Sequence, residues 1–204
     1  SLMASIHLIK ARHDIVVIWQ TGKLYYQTVK EALDSNPVEN IRLYDFIARM
    51  DLAYVSANTI ISRAGAGTIS ELCLVAKPCI LIPSPNVAED HQTRNAQALV
   101  SRDAAIMIPD SQAKEQLVKA AFELLDNPAE QKKLSENIAR LALRNSAITI
   151  ALEVLKLAGI KKTTKANKSN KDTKTAKNTS SRELARKEEQ KKPSSKKSTS
   201  ANNK

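Results

Sequence analysis

The sequence predicts an α/β domain built on a Rossmann-like parallel sheet with crossover helices, and three observations carry that reading. Short runs rich in β-branched residues alternate with longer stretches of helical spacing through residues 1–160, the pattern of parallel strands joined by helices. Those residues hold 17 basic and 17 acidic side chains, a balanced composition in a body of ordinary single-domain size. Residues 161–204 differ in kind, because the whole net charge of +11 lies there, with one large aliphatic, Leu184, and no aromatic. Such a Lys-, Ser-, Thr- and Asn-rich segment buries too little apolar area to offset ordering entropy. The expected organisation is one folded domain, 1–160, followed by a disordered tail, 161–204.

The elements follow in order. "DIVVIWQ" (14–20) reads as a buried strand and is followed by a helix from about Leu24 to Leu33. "IRLYDF" (41–46) is a second strand, "ARMDLAYVSA" (48–57) a short helical link, and "NTIISR" (58–63) a third strand. In "TISELCLVA" (68–76), Ile69, Leu72, Leu74 and Val75 stand at helical spacing, and Lys77-Pro78 stops the helix before the strand "CILIPS" (79–84). A helix over 88–102 and a fifth strand, "AAIMIP" (104–109), come next. Three helical segments close the body, at 113–126, 128–144 and 147–158; Asn127-Pro128 and Asn145-Ser146 punctuate them, since Pro suits a first helical turn and Asn or Ser a cap.

Composition excludes several classes. No run approaches the ~18 apolar residues that span a bilayer, and the N-terminus lacks a signal peptide's charged start and cleavage site, so a cytoplasmic location is the expectation. Cys73 and Cys79 lie in apolar surroundings with no second Cys/His pair at metal-ligand spacing, which reads as reduced, packed thiols. The one tryptophan, Trp19, reads as a core residue.

In such a sheet ligands bind outside the carboxyl ends of the strands, which places Phe46, Arg63 and Ser84 on one rim. After the third strand, Ala64-Gly65-Ala66-Gly67 uses two of the chain's four glycines and leads into Thr68. Small residues let a ligand approach the backbone, and a helix start offers unpaired N–H groups and partial positive charge for a phosphate. A tight strand-to-helix turn accounts for the glycines equally well. Glu71 has two readings: partner of Thr68 in a capping box, or acceptor of the two hydroxyls of a ribose. Asp90, His91, Gln92 and Asn95 fall in the first turns of the next helix, where their mix of donors and acceptors suits sugar hydroxyls.

"SRAGAGTISEL", the strand "PCILIPSP" and "EDHQTRNA", with "IWQTGKLYY" (18–26) and "YDFIARM" (44–50) in the same order, resemble the C-terminal half of the MurG family over residues 5–158. The resemblance implies the two-domain GT-B fold. It implies inverting transfer of GlcNAc from UDP-GlcNAc to undecaprenyl-pyrophosphoryl-MurNAc-pentapeptide, the lipid I to lipid II step of peptidoglycan synthesis. Phe46 and Ile47 would border uracil, with Ile47 backbone groups reading its edge. Glu71 would hold the ribose, capping being secondary. Ala64, Gly65, Ala66, Gly67 and Thr68 would face the diphosphate, and Gln92 with His91 would bind GlcNAc. Arg63 and Asn95 match the pattern.

No cofactor or metal is required on this reading. The expected partners are UDP-GlcNAc, lipid I through a further domain, and the cytoplasmic face of the inner membrane. By the same resemblance, the N-terminal domain with the proposed catalytic base is absent, as are the glycine-rich loop that should begin this second domain and its first strand. Ser1 falls within the helix that follows that loop, and the chain alone is expected to be inactive. A free-standing donor subunit, a UDP-GlcNAc 2-epimerase and a basic-tail binding module are the alternatives. The tail lacks aromatic residues for base stacking, which argues against sequence-specific nucleic-acid binding.

Overall fold

A computed structural model describes residues 2–87 and 90–160. The chain divides into two compact units, residues 1–146 and 147–204. The expected tail, 161–204, and Ala88 and Glu89 of the expected helix lie outside the described residues. The first unit carries, in chain order, α1 (Ile6–Ala11), β1 (Val17–Gln20), α2 (Lys23–Ser35), β2 (Ile41–Tyr44), α3 (Met50–Ser56) and β3 (Ile60–Ser62). It continues with α4 (Ala66–Val75), β4 (Cys79–Leu81), α5 (His91–Val100), β5 (Ile106–Met107), α6 (Ala113–Leu125) and α7 (Pro128–Ala139). The second unit holds nearly all of α8 (Ser146–Leu157), with Ile148, Ile150, Val154 and Leu157 along it.

All five predicted strands form, and every pairing is parallel, but they fall into two sheets: β1-β2 and β3-β4-β5. The registers put Val17 opposite Ile41, Ile60 opposite Cys79 and Ile80 opposite Ile106. One helix spans the break. Leu117, Ala121 and Leu124 of α6 pack with Ile80, Ile82 and Ile108 beneath the larger sheet. Val118 and Phe122 of the same helix pack with Ile9, Ile41 and Trp19 beneath the smaller one.

β4 is buried on both faces, as an unbroken apolar run in a parallel sheet should be. Cys79 and Leu81 face a cluster with Leu72, Cys73, Ala96 and Leu99 from α4 and α5. Ile80 and Ile82 face the α6 side, the alternation a strand imposes. Both cysteines are free and buried, and burial pushes the Cys79 thiol up to about 12, so the expectation of packed thiols holds. Trp19 packs in the core as read.

β1 differs from the sequence reading. Val17 and Trp19 turn inward, whereas Val16 and Ile18 remain 62% and 46% exposed. An apolar run marks a strand but does not say whether both of its faces are covered.

Local chemistry sets the helix ends. Asn127 caps α7 by accepting the Glu130 N–H at 3.1 Å, with Pro128 in the first turn. α7 ends at Ala139 rather than running to 144, because Leu141 and Ala142 fold back onto the β3-β4-β5 core. α4 ends at Ala76, which is left-handed at φ 55°. At the end of α1, Asn40 Nδ2 donates to the carbonyls of Ile9 and Arg12, both at 2.8 Å. Arg12 also lies over the Phe122 ring and binds Asp14 and Asp126, which fastens α1 to the end of α6.

Candidate functional site

The carboxyl ends of β3 and β4 meet the N-termini of α4 and α5, and a small set of hydrogen bonds fixes that corner. Ala64, fully buried after β3, donates its N–H to Gln92 Oε1 at 3.2 Å and accepts from Asn95 Nδ2 at 3.0 Å. The same Gln92 oxygen accepts the N–H of Ser84, beyond β4, at 2.9 Å. One amide from α5 therefore joins two strand ends. Arg63 NH1 donates to the carbonyls of Ile82 and Pro83 at 3.3 Å each and pairs with Asp110, in the turn after β5.

The helix start is bare. α4 begins at Ala66 with Gly65 as its N-cap, and no side chain caps it. Gly65 sits at φ −66°, and the described glycines with positive φ are Gly22 and Gly159. The two site glycines are thus not demanded by backbone conformation. A Cβ placed on Gly67 would meet nothing within 4 Å, and one on Gly65 would make only ordinary contact with Thr68 Oγ1 at 3.7 Å. What they leave is an open approach to the first N–H groups of the helix, which carry partial positive charge.

The structure corrects two expectations here. Thr68 does not open α4 but stands third in it, and Thr68 and Glu71 form no capping box because the helix has already begun at Ala66. Glu71, in the second turn, accepts instead from the Tyr54 hydroxyl of α3 at 3.0 Å.

Phe46 and Ile47 lie apart from that corner, beyond the carboxyl end of β2. Phe46 is 65% exposed. The Ile47 N–H donates to Gln20 Oε1, at the end of β1, at 2.8 Å. α3 connects the two groups, since it starts three residues after Ile47 and carries Tyr54 to Glu71. His91 opens α5 and is exposed. Asp90 precedes it at φ 54° and accepts from Thr93 Oγ1 at 2.6 Å.

Three contributors escape sequence reasoning: Gln20, Tyr54 and Asp110. Gln20 ends one strand and Asp110 follows another on the predicted rim, a signal that the motifs overshadowed. Tyr54 gives no local signal, because its partner is 17 residues away. A hollow of about 340 Å³ lined by Pro83, Pro85, Asp90, Met107 and Asp110 opens beside the Arg63–Asp110 pair. Among the described residues no group of three or more His, Cys, Asp and Glu side chains gathers as metal ligands.

A model of the glycosyltransferase family 28 C-terminal domain matches residues 3–150. The chain belongs to this family. Among similar proteins, this family 28 domain is 52% identical over 159 residues to the UDP-N-acetylglucosamine–N-acetylmuramyl-(pentapeptide) pyrophosphoryl-undecaprenol N-acetylglucosamine transferase of Bacteroides fragilis, covering 78% of this chain and 42% of that protein. It is 50% identical over 147 residues to the same-named protein of Porphyromonas gingivalis, covering 72% of this chain and 39% of that one. The domain spans about two fifths of the length of these curated relatives.

Among solved structures, Acinetobacter baumannii MurG superimposes with a TM-score of 0.60 at 27% identity, covering 68% of this chain and 42% of that one. A putative UDP-N-acetylglucosamine 2-epimerase from Listeria monocytogenes, with a TM-score of 0.57 at 15% identity and coverage of 78% and 40%, shares the fold alone. The family 28 domain thus has the fold of the C-terminal half of a GT-B glycosyltransferase, and its resemblance to the MurG family holds.

Proposed function

We propose that this domain holds UDP-GlcNAc for an inverting transferase that moves GlcNAc onto undecaprenyl-pyrophosphoryl-MurNAc-pentapeptide in peptidoglycan synthesis. The observation that carries the reading is the uncapped, unobstructed start of α4 at Gly65–Gly67 with the Glu71 carboxylate one turn further along. The N–H groups of that first turn suit a diphosphate. As the bond to the sugar breaks, negative charge grows on the UDP leaving group, and donors already aligned stabilise it without reorganising. Glu71 accepts from the ribose hydroxyls. Gln92, whose Oε1 is engaged with Ala64 and Ser84, offers Nε2 to a GlcNAc hydroxyl, with His91 alongside. Arg63 and Asn95 hold the corner in register.

Uracil lies at Phe46 and Ile47. Its edge takes over the Ile47 N–H that is donated to Gln20 Oε1. No metal is needed on this reading. Lipid I binds through a further domain, and the enzyme works at the cytoplasmic face of the inner membrane as a peripheral protein. No described helix is long and apolar enough to cross a membrane, and the cationic tail suits an anionic leaflet.

Calorimetric titration of the 204-residue chain with UDP-GlcNAc, UDP and UDP-glucose tests the reading. Binding of all three, tightest for UDP-GlcNAc and weakened by Glu71→Gln, is the expected result. A folded chain that binds none of them, or binds them equally well with Glu71→Gln, overturns the assignment.

A further inference from the structure

We propose that Tyr54 is a positioning residue for nucleotide binding: its hydroxyl, presented by α3, orients Glu71 of α4 toward the two hydroxyls of the ribose. The inference rests on the reading of Glu71 as the ribose acceptor. It goes beyond that reading by assigning a residue outside the glycine-rich turn and the helix after it.

The geometry is specific. Tyr54 Oη donates to Glu71 Oε2 at 3.0 Å, and the body of Tyr54 packs against the cluster formed by Leu72, Cys73, Ala96 and Leu99. The phenol is thus anchored at one end and hydrogen-bonded at the other, which is how a half-buried tyrosine uses its polar tip. Glu71 is exposed, and among the described residues no ion pair holds it. A free glutamate side chain has several rotatable bonds, and fixing them on binding costs affinity. A single bond from a neutral donor pre-orders the carboxylate while leaving its charge intact. It occupies one lone pair of Oε2 and leaves Oε1, with the rest of Oε2, for the two ribose hydroxyls.

A lysine, with three donors, or an arginine, with a fork of five, could engage both carboxylate oxygens and compete with the sugar, whereas a phenol offers a single donor. Burial, reinforced by Glu71, pushes the Tyr54 phenol up to about 12, so it remains a donor throughout the neutral range.

The test compares UDP with 2′-deoxy-UDP on the full chain and on the Tyr54→Phe, Glu71→Gln and double variants, with thermal melts to confirm folding. Ordering one glutamate side chain in advance is worth about 1 kcal/mol on binding, roughly a 5-fold change in affinity. Tyr54→Phe should therefore weaken UDP about that much, weaken 2′-deoxy-UDP less because only the 3′-hydroxyl remains to meet Glu71, and add nothing in the Glu71→Gln background. If Glu71→Gln removes the preference for UDP over 2′-deoxy-UDP while Tyr54→Phe preserves it, the positioning role is wrong and the ribose reading stands. Equal losses for both nucleotides in Tyr54→Phe also overturn the role, since they report packing. If Glu71→Gln leaves the preference intact, or the folded chain binds neither nucleotide, the ribose reading fails and the inference with it. Should Tyr54→Phe fail to fold, Tyr54→Leu repeats the comparison with an apolar contact and no donor.

Discussion

Gln92 Oε1 accepts the backbone N–H of Ala64 at 3.2 Å, across 28 residues of sequence, while the same oxygen accepts from Ser84. On the proposed reading, stability and sugar recognition depend on different atoms of one amide. Gln92→Glu keeps an acceptor oxygen and loses Nε2; Gln92→Met loses both and leaves two part-buried N–H groups unpaired. Urea unfolding should show Gln92→Met less stable by about 1–3 kcal/mol and Gln92→Glu close to the parent. Both should bind UDP-GlcNAc no better than UDP in calorimetry.

Gly67 separates fold from function in the opposite sense. It lies in a helix at ordinary φ with open space where a Cβ would go. Gly67→Ala should raise stability by up to about 1 kcal/mol, the helix-propensity difference between the two residues. On the proposed reading the added methyl stands in the path of the diphosphate, so UDP affinity should fall even as the melting temperature rises. A variant that gains stability and keeps full affinity would move the diphosphate away from this turn.

Ala76 ends α4 at φ 55° and ψ 39°, a left-handed conformation unfavourable for a residue with a Cβ. Ala76→Gly should therefore stabilise the domain by roughly 0.5–1 kcal/mol, relief of a left-handed cost of about 1–2 kcal/mol less the extra chain entropy of glycine, visible as a higher urea midpoint with unchanged nucleotide binding.

Arg12, hydrogen-bonded to Asp14, lowers that carboxyl from 3.8 to about 2. A depressed folded-state value means stability present above pH 4 and lost as pH falls from about 4 toward 2. Asp14→Asn should flatten the fall of the urea midpoint across that window and change little at neutral pH beyond the loss of an exposed ion pair. An identical acid limb in parent and variant would remove Asp14 from the pH response.

Much of this was readable in the chain because punctuation and apolar runs are local. Pro78, Asn127 and Pro128 stop or start helices by their own covalent chemistry, and "CILIPS" announces a strand without reference to anything else. The start of α4 was misplaced by two residues for a related reason. Glycine and alanine provide no capping side chain to mark a boundary, so the Ser/Thr-x-x-Glu pattern at Thr68 and Glu71 was read in their place. The division into two sheets, and the partners of Gln92, Asn95 and Tyr54, are pairings between residues far apart in sequence. Rim residues could be nominated from strand ends, but what each one grips depends on how the rim closes.

The division of the sheet has a further consequence for the backbone of β1 and β3. Val17 and Thr21 donate to Asn40 and Tyr44, and Ile60 donates to Pro78 while Ser62 accepts from Ile82. The alternation of a parallel ladder then turns the amides of Ile18 and Ile61 away from these partners. Their side chains are 46% and 37% exposed, so among the described residues open hydrogen-bonding groups and apolar surface coincide on two strand edges, the combination that recruits further strands. These amides should exchange with deuterium at loop-like rates despite lying within strands, and slow exchange there at high protein concentration would mark capture of one chain's edge by another.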